Sequence, residues 1–210
     1  MQGSPYHPGI SALVLCAGRS RRMGGTKPLL KLGSETLIER AVGICRAAGV
    51  EDILAVLGHD AARVAAVADR IGARWTVNNR YGEGMFTSVQ EGAVRLDGTC
   101  RAFFLLPVDI PLVRPDTLTG LIKAFAAAGS DAVVCRPVSE GRRGHPPLIS
   151  SALIPEILGG EAPDGMRSIL ARHEGNSVFV ECGDPWILFD IDTPDDLEKA
   201  REQLAAASRI

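Results

Sequence analysis

Ile10-Ser-Ala-Leu-Val-Leu-Cys-Ala17 is an uncharged, mostly apolar run that ends at Gly18 and gives way to Arg19-Ser-Arg-Arg-Met-Gly-Gly-Thr-Lys27. The first half suits a strand buried on both faces, as in the middle of a parallel sheet. The second half has the opposite character. Glycines at 18, 24 and 25 permit positive φ and close backbone approach, so that successive N–H groups can converge on an anion. Arg19, Arg22 and Lys27 add cations, the arginines able to grip phosphate bidentately and the lysine acting as a point charge. Arg19, Arg21, Arg22, Lys27 and Lys31 fall within 13 positions that carry no acid. The stretch reads as a cradle for the phosphates of a nucleoside triphosphate. It is not a Walker A loop, because Thr26 separates Gly25 from Lys27. It also lacks the G-x-G-x-x-G dinucleotide fingerprint with its acidic residue at the end of the second strand.

Outward from this stretch the chain alternates strands and helices. Thr36 to Ala48 reads as a helix closed by Gly49, Asp52 to Leu57 as a strand, and Ala61 to Ile71 as a helix. Arg74 to Val77 follows as a short strand, Ser88 to Leu96 as a helix, and Arg101 to Leu106 as a strand interrupted at Pro107. Asp116 to Ala128 is a helix closed by Gly129, and Asp131 to Arg136 is a strand. Beyond residue 137 only short pieces are legible (Pro147 to Ile149, Ser177 to Val180, Trp186 to Phe189) before a final charged helix opened by Pro194. This alternation predicts an α/β fold with a mainly parallel sheet, its strand-to-helix loops gathered at one ligand-binding edge. Residues 1–9 form a polar, Pro/Gly-containing N-terminus expected to be flexible, and residues 10–210 read as one domain.

Composition excludes several classes. Apolar content of 46% and charged content of 23% are those of an ordinary globular protein. A net charge of −2 argues against a nucleic-acid wrapper. No apolar run is long enough to cross a bilayer and no signal-peptide order is present, so the expected location is cytoplasmic and no membrane partner is implied. The five cysteines are widely spread without metal-ligand spacing, and they read as small core residues.

Four further constellations carry polar chemistry. Pro107-Val-Asp-Ile-Pro111 holds Asp109 on a rigid backbone at the end of an apolar strand, where a carboxylate facing a triphosphate could bind Mg²⁺. Phe189-Asp-Ile-Asp-Thr-Pro194 places Asp190 and Asp192 on one side if the strand continues. One of them could ligate metal, while Asp192 or Thr193 could equally be the N-cap of the last helix. Gly141-Arg-Arg-Gly-His-Pro-Pro147 sets Arg143 and His145 in a loop, the histidine suited to a phosphate or an acceptor substrate. Asn78 to Ser88 has two glycines and a Thr/Ser helix start, suited to a substrate loop with Thr87 or Ser88 as cap.

Together these residues resemble the MobA-like nucleotidyltransferases, most closely the molybdenum cofactor cytidylyltransferases. The resemblance rests on LxAGxSxRMGxxK at Leu15 to Lys27, PVDxP at Pro107 to Pro111, RGHPP at Arg143 to Pro147 and DIDTPDDL at Asp190 to Leu197, in family order. It implies a Rossmann-like αβα fold of the nucleotide-diphospho-sugar transferase type. The implied reaction is Mg²⁺-assisted transfer of a nucleoside monophosphate to an acceptor phosphate, with release of pyrophosphate. Carried over, Ala17 and Gly18 contact the nucleoside by backbone, Arg22 and Lys27 the triphosphate, and Asp109 the Mg²⁺, with Asp192 as second ligand and Asp190 the alternate. Arg19, Ser20, Gly24, Gly84 and Ser88 complete the nucleotide site, and Arg143 and His145 the acceptor side. The Leu15-Cys-Ala-Gly18 start favours CTP over GTP, since guanylyltransferase relatives usually show LxGG. Cys16 departs from the alanine common in the family. Gly84-Met-Phe-Thr-Ser88 resembles the GMxxS of the cytidylyltransferase group.

The implied partners are CTP, a phosphate-bearing acceptor such as molybdopterin, and a molybdoenzyme receiving the product. Two rival readings remain. One is a GTP-using or sugar- or alditol-phosphate nucleotidyltransferase. The other is a nucleotide-binding accessory protein that delivers cofactor without turnover, which would have no need of the carboxylate at Asp109.

Overall fold

A computed structural model describes residues 6–20, 22–129, 133–160 and 162–207. The opening strand β1 (Ile10–Cys16) is buried at every position. It lies between β4 (Asp52–Leu57) and β6 (Ala102–Pro107), pairing in parallel with both. On one side β5 (Arg74–Val77) extends the sheet in parallel from β4. On the other, β9 (Leu148–Ser150) runs antiparallel between β6 and β7 (Val134–Ser139), and β10 (Ser177–Glu181) closes that edge in parallel with β7. The order is β10-β7-β9-β6-β1-β4-β5, with β8 (Arg142–Arg143) hairpinned onto β7. A small separate hairpin joins β2 (Lys31–Leu32) to β3 (Glu35–Thr36).

Alternation along β1 sorts the core into two layers. Ile10, Ala12, Val14 and Cys16 pack with helices α1 (Leu37–Ala47), α2 (Ala61–Arg70), α4 (Pro115–Ala128) and α7 (Pro194–Ala207). Leu13 and Leu15 pack on the opposite face with α3 (Met85–Ala93), α5 (Ile154–Gly159) and α6 (Met166–Arg172). Adjacent Phe103 and Phe104 on β6 divide the same way, both wholly buried. Each contributes about 1.5–3 kcal/mol by leaving water. The result has the mainly parallel sheet that the alternation of apolar runs predicts, in the three-layer αβα arrangement that the family resemblance implies. Among the described residues no helix is long and apolar enough to cross a membrane.

The departures from expectation have physical reasons. Helix α3 begins at Met85, a turn before Ser88, with Gly84 (φ 118°) at its N-cap and no capping side chain. Thr87 and Ser88 are therefore not caps. They lie inside the helix, where both hydroxyls accept from the buried Asn78 amide at 2.8 and 2.9 Å. The short piece Trp186 to Phe189 lies mostly in a 3-10 turn, Pro185–Leu188, at whose start the Asp184 carboxylate accepts from Trp186 N. The short helices α5 and α6 escaped the sequence pattern, each having too few residues for a resolvable period. All five cysteines are free and four are buried. Burial pushes the Cys45 thiol up to about 12 and Cys135 up to about 11. Residues 1–5 of the expected flexible N-terminus, and Asp131 of the expected strand, lie outside the described residues. His7 is already tied down, donating from its backbone to Gly49 O at 3.1 Å.

Candidate active site

The loop after β1 closes on itself. His59 N donates to Ala17 O at 3.1 Å, and Met23 N to Ser20 O at 2.9 Å. Ser20 sits at φ 49°, a left-handed turn in a residue with a Cβ, and its hydroxyl accepts from Lys27 N at 3.2 Å. Thr26 Oγ1 anchors the far end on Asp60 Oδ2 at 2.6 Å. These bonds return Lys27 to the mouth of β1, directly above the sheet edge. Arg21 lies outside the described residues.

Asp109 arrives from the neighbouring strand. Val108 N donates to Leu15 O at 3.2 Å, continuing the ladder beyond β6, and Asp109 O accepts from Ile191 N at 2.8 Å. The second bond draws Asp190 to Asp192 alongside. Lys27 Nζ then donates to both carboxylates, to Asp109 Oδ2 at 3.1 Å and Asp192 Oδ1 at 3.0 Å, with only 12% of its side chain exposed. Arg22 pairs with the other oxygen of Asp192 at 2.9 Å. The hydrogen bond from Lys27 holds the Asp192 carboxyl below its ordinary 3.8, partly opposed by desolvation and assisted by the Lys27 and Arg22 charges.

The open question of the helix cap is answered by the hydrogen bonds. Thr193 Oγ1 accepts from Asp196 N at 3.3 Å while Asp196 Oδ2 accepts from Thr193 N at 2.9 Å, a reciprocal box. Thr193 is the cap, and Asp192 is left to face Lys27. The segment from Phe189 to Thr193 is not strand, so alternation does not place Asp190 and Asp192, although both border the cleft.

These groups form one end of a cleft of about 990 Å³. Ala17, Gly18, Arg19, Ser20, Arg22, Lys27, Ser88, Asp109, Arg143, His145, Asp190 and Asp192 all border it, from segments scattered over the whole chain. Gly24 and Gly84 do not border it; both hold positive φ and shape the turns behind the wall. Arg19 lies over the Tyr81 ring, 5.4 Å from its centroid. Arg143 turns outward: it stacks on Phe179 at 4.5 Å and pairs with Glu174. His145 is exposed at the rim, its backbone N donating to Ile187 O at 2.9 Å. Desolvation lowers its pKa from 6.5, opposed by the charges of Asp109 and Asp190. Sequence reasoning missed Arg142, Arg167 and Tyr81 on the walls. Only Tyr81 gave a signal, as an aromatic in a Gly-containing loop. Among the described residues no group of three or more His, Cys, Asp or Glu side chains converges.

A parallel sheet with a basic loop, two converging carboxylates and an open cleft at its carboxyl edge defines an α/β phosphate-handling enzyme. Residues 12–177 match the family described as MobA-like NTP transferase domain. The chain belongs to that family and is a nucleotidyltransferase. Two relatives span nearly the whole chain. Molybdenum cofactor cytidylyltransferase of Escherichia coli is 27% identical, over 92% of this chain and 96% of its own. Nicotine blue oxidoreductase of Paenarthrobacter nicotinovorans is also 27% identical, over 89% and 93%. Among solved structures, Rv0371c of Mycobacterium tuberculosis is 25% identical, with a TM-score of 0.78 and coverage of 93% and 98%. The fold is that of the nucleotide-diphospho-sugar transferases.

Proposed function

We propose that residues 10–210 act as one domain that transfers CMP from CTP to a phosphate-bearing acceptor, molybdopterin, with Mg²⁺, releasing pyrophosphate. The observation that carries this reading is the convergence of Asp109 and Asp192 on the single ammonium of Lys27. Two carboxylates within reach of one cation suit a hard divalent ion that takes one or two protein oxygens and completes its shell with phosphate and water. Asp109 and Asp192 would hold Mg²⁺, which when bound supplies positive charge against the triphosphate oxygens.

The chain's own residues do the rest by position and electrostatics. Ala17 and Gly18 offer backbone to the nucleoside, while Arg19, Ser20, Arg22 and Lys27 surround the triphosphate. Gly24 and Gly84 fix the turns that shape this wall, and Ser88 borders it from α3. A phosphate oxygen of the acceptor attacks the α-phosphorus, the bond from that phosphorus to the bridging oxygen breaks, and the electron pair leaves with pyrophosphate. Lys27 and Arg22 stabilise charge on that leaving group. His145 and Arg143 lie on the acceptor side. No serine or cysteine nucleophile is required.

The Leu15-Cys-Ala-Gly18 start supports CTP, as does the likeness to the Escherichia coli cytidylyltransferase. The natural setting of such a reaction is the cytoplasm, with a molybdoenzyme as recipient of the product. The test is pyrophosphate release from each of the four NTPs, with and without molybdopterin and Mg²⁺. Release needing CTP, molybdopterin and Mg²⁺ together is expected. Release confined to GTP, or to a sugar phosphate acceptor, would replace the cytidylyl reading with a sister activity. Nucleotide binding without release would favour an accessory protein.

A further inference from the structure

We infer that Arg142 and Arg167 form the anion subsite that seats the acceptor's phosphate, a second cationic pole of the cleft beside Lys27 and Arg22. The inference rests on the nucleotidyl-transfer reading above. It starts from the pairing of charges around the cleft. Its bordering cations are Arg19, Arg22, Lys27, Arg142, Arg143 and Arg167, and its bordering acids are Asp109, Asp190 and Asp192. Lys27 and Arg22 take Asp109 and Asp192. Arg143 takes Glu174 and the Phe179 ring, and Arg19 lies over Tyr81. Arg142 and Arg167 border the same cleft, are exposed, and have no acidic partner among the described residues.

Neither is carried on a loose segment. Gly144 packs so tightly on Ile187 that a Cβ would collide with it, and Gly144 N donates to Pro137 O at 3.0 Å. These contacts hold the β7–β8 hairpin, and Arg142 with it, against the 185–188 turn. Arg167 follows Met166, which packs with Phe86 against the buried layer of Leu13 and Leu15. A Cβ on Gly165 would lie 3.0 Å from that of Phe86, so the start of α6 rests directly on the start of α3. Met85, 63% exposed, borders the cleft there beside Ser88. The fold thus brings to the cleft two guanidinium groups with no acidic partner among the described residues, together with one apolar side chain.

Two arginines with no ion-paired carboxylate suit a phosphate dianion, which can accept bidentate hydrogen bonds from a guanidinium group. A cleft near the upper end of the usual ~300–1000 Å³ range has room for two substrates. The subsite therefore selects acceptors that carry a phosphomonoester, and Met85 favours one with an apolar or ring-bearing body.

The experiment measures two bindings by calorimetry on the full chain: CTP to the free protein, and inorganic phosphate to the protein saturated with CTP. Arg142→Gln, Arg167→Gln and Arg167→Lys are compared with the unaltered chain. Each glutamine variant should weaken phosphate binding about tenfold or more while CTP affinity stays within about twofold. Lysine at 167 should recover part of the loss. An equal loss of CTP affinity would overturn the subsite, since the arginines would then serve the triphosphate. Unchanged phosphate binding, or none in the unaltered chain, would overturn it too. In the transfer assay the variants should raise KM for molybdopterin and leave KM for CTP alone. Failure of the unaltered chain to transfer CMP to molybdopterin, with phosphate binding still dependent on both arginines, would sink the cytidylyl reading and spare the subsite.

Discussion

Lys27 Nζ donates to Asp109 Oδ2 at 3.1 Å across 82 residues of sequence, joining the loop after the first strand to the loop after β6. The same nitrogen reaches Asp192, so the ammonium occupies the position from which both carboxylates can be served. Replacing it with a neutral side chain of similar length leaves two carboxylates with less opposing charge. In Lys27→Met, Mn²⁺ binding to nucleotide-free protein, followed by electron paramagnetic resonance, should tighten several-fold. CTP affinity should fall about tenfold and transfer by roughly 10²-fold or more. Unchanged transfer kinetics would remove Lys27 from the triphosphate site.

The three aspartates should not be equivalent. Asp109→Asn keeps the shape of the side chain and the backbone bond to Ile191, so circular dichroism and melting should be nearly unchanged while metal-dependent turnover is lost. Asp192→Asn should act the same way, more weakly. Asp190, which makes no contact with Lys27 or Arg22, should tolerate Asn with turnover within a few-fold. Metal-responsive activity in Asp109→Asn would mean that the metal is held elsewhere.

Away from the cleft, Thr36 and Glu39 close a capping box at the start of α1, with Thr36 N donating to Glu39 Oε2 at 2.7 Å and Glu39 N to Thr36 Oγ1 at 3.4 Å. The hydrogen bonds from Thr36 hold the Glu39 carboxyl down at about 2, against an ordinary 4.5. Because the folded value is depressed, its stabilisation is complete above pH 4.5 and disappears as pH falls towards 2. Glu39→Ala should cost about 1 kcal/mol in urea unfolding at pH 7. At pH 2 the difference should shrink, and a constant difference across that range would refute the linkage.

The central strands, the layers and the two nearest site loops were legible because burial on both faces writes unbroken apolar runs, as in β1 and β6. Glycine and proline punctuation then marks where those strands end. The meeting of Asp109 with Asp192 was not legible from periodicity, since it depends on a backbone bond between Asp109 and Ile191 in two distant loops. The family motifs pointed to it instead. Arg142 and Arg167 were illegible for a different reason. A cation on a two-residue strand or a seven-residue helix looks like any solvated arginine until the fold shows which acids are already engaged. The Pro185–Leu188 turn shows in the sequence only as a short apolar piece, because Asp184, the residue that caps it, also holds Thr117 Oγ1 and Arg114 N from a remote helix start.

His145 supplies a pH signature. Desolvation lowers its pKa below 6.5, so between its folded value and 6.5 the unfolded chain binds more protons than the folded one. Stability should therefore rise with pH through that window, and His145→Gln should flatten the rise. Nuclear magnetic resonance of the imidazole should show a midpoint below 6.5. A midpoint above it would mean that the charges of Asp109 and Asp190 outweigh desolvation, making the histidine a cation at the acceptor side.

Gly58 bears on the nucleotide wall without touching the cleft. A Cβ there would lie 2.8 Å from Ala17 Cβ, Ala17 O and Tyr81 Cβ, closer than side chains pack. Two of those contacts are to Ala17, whose carbonyl also accepts from His59 N at 3.1 Å. Backbone cannot step aside as a flexible side chain can, so Gly58→Ala must push the start of the phosphate loop away from Tyr81 or distort the end of β4. Overpacking of this kind costs about 1–3 kcal/mol. The loss should be uneven. CTP affinity, measured by calorimetry, should fall several-fold well below the melting temperature, because Ala17 and Arg19 shift relative to each other. Phosphate binding at Arg142 and Arg167, whose segments rest on Ile187 and Phe86 rather than on Ala17, should change little. If melting drops while both bindings stay intact, the loop absorbs the methyl group and Gly58 serves packing alone.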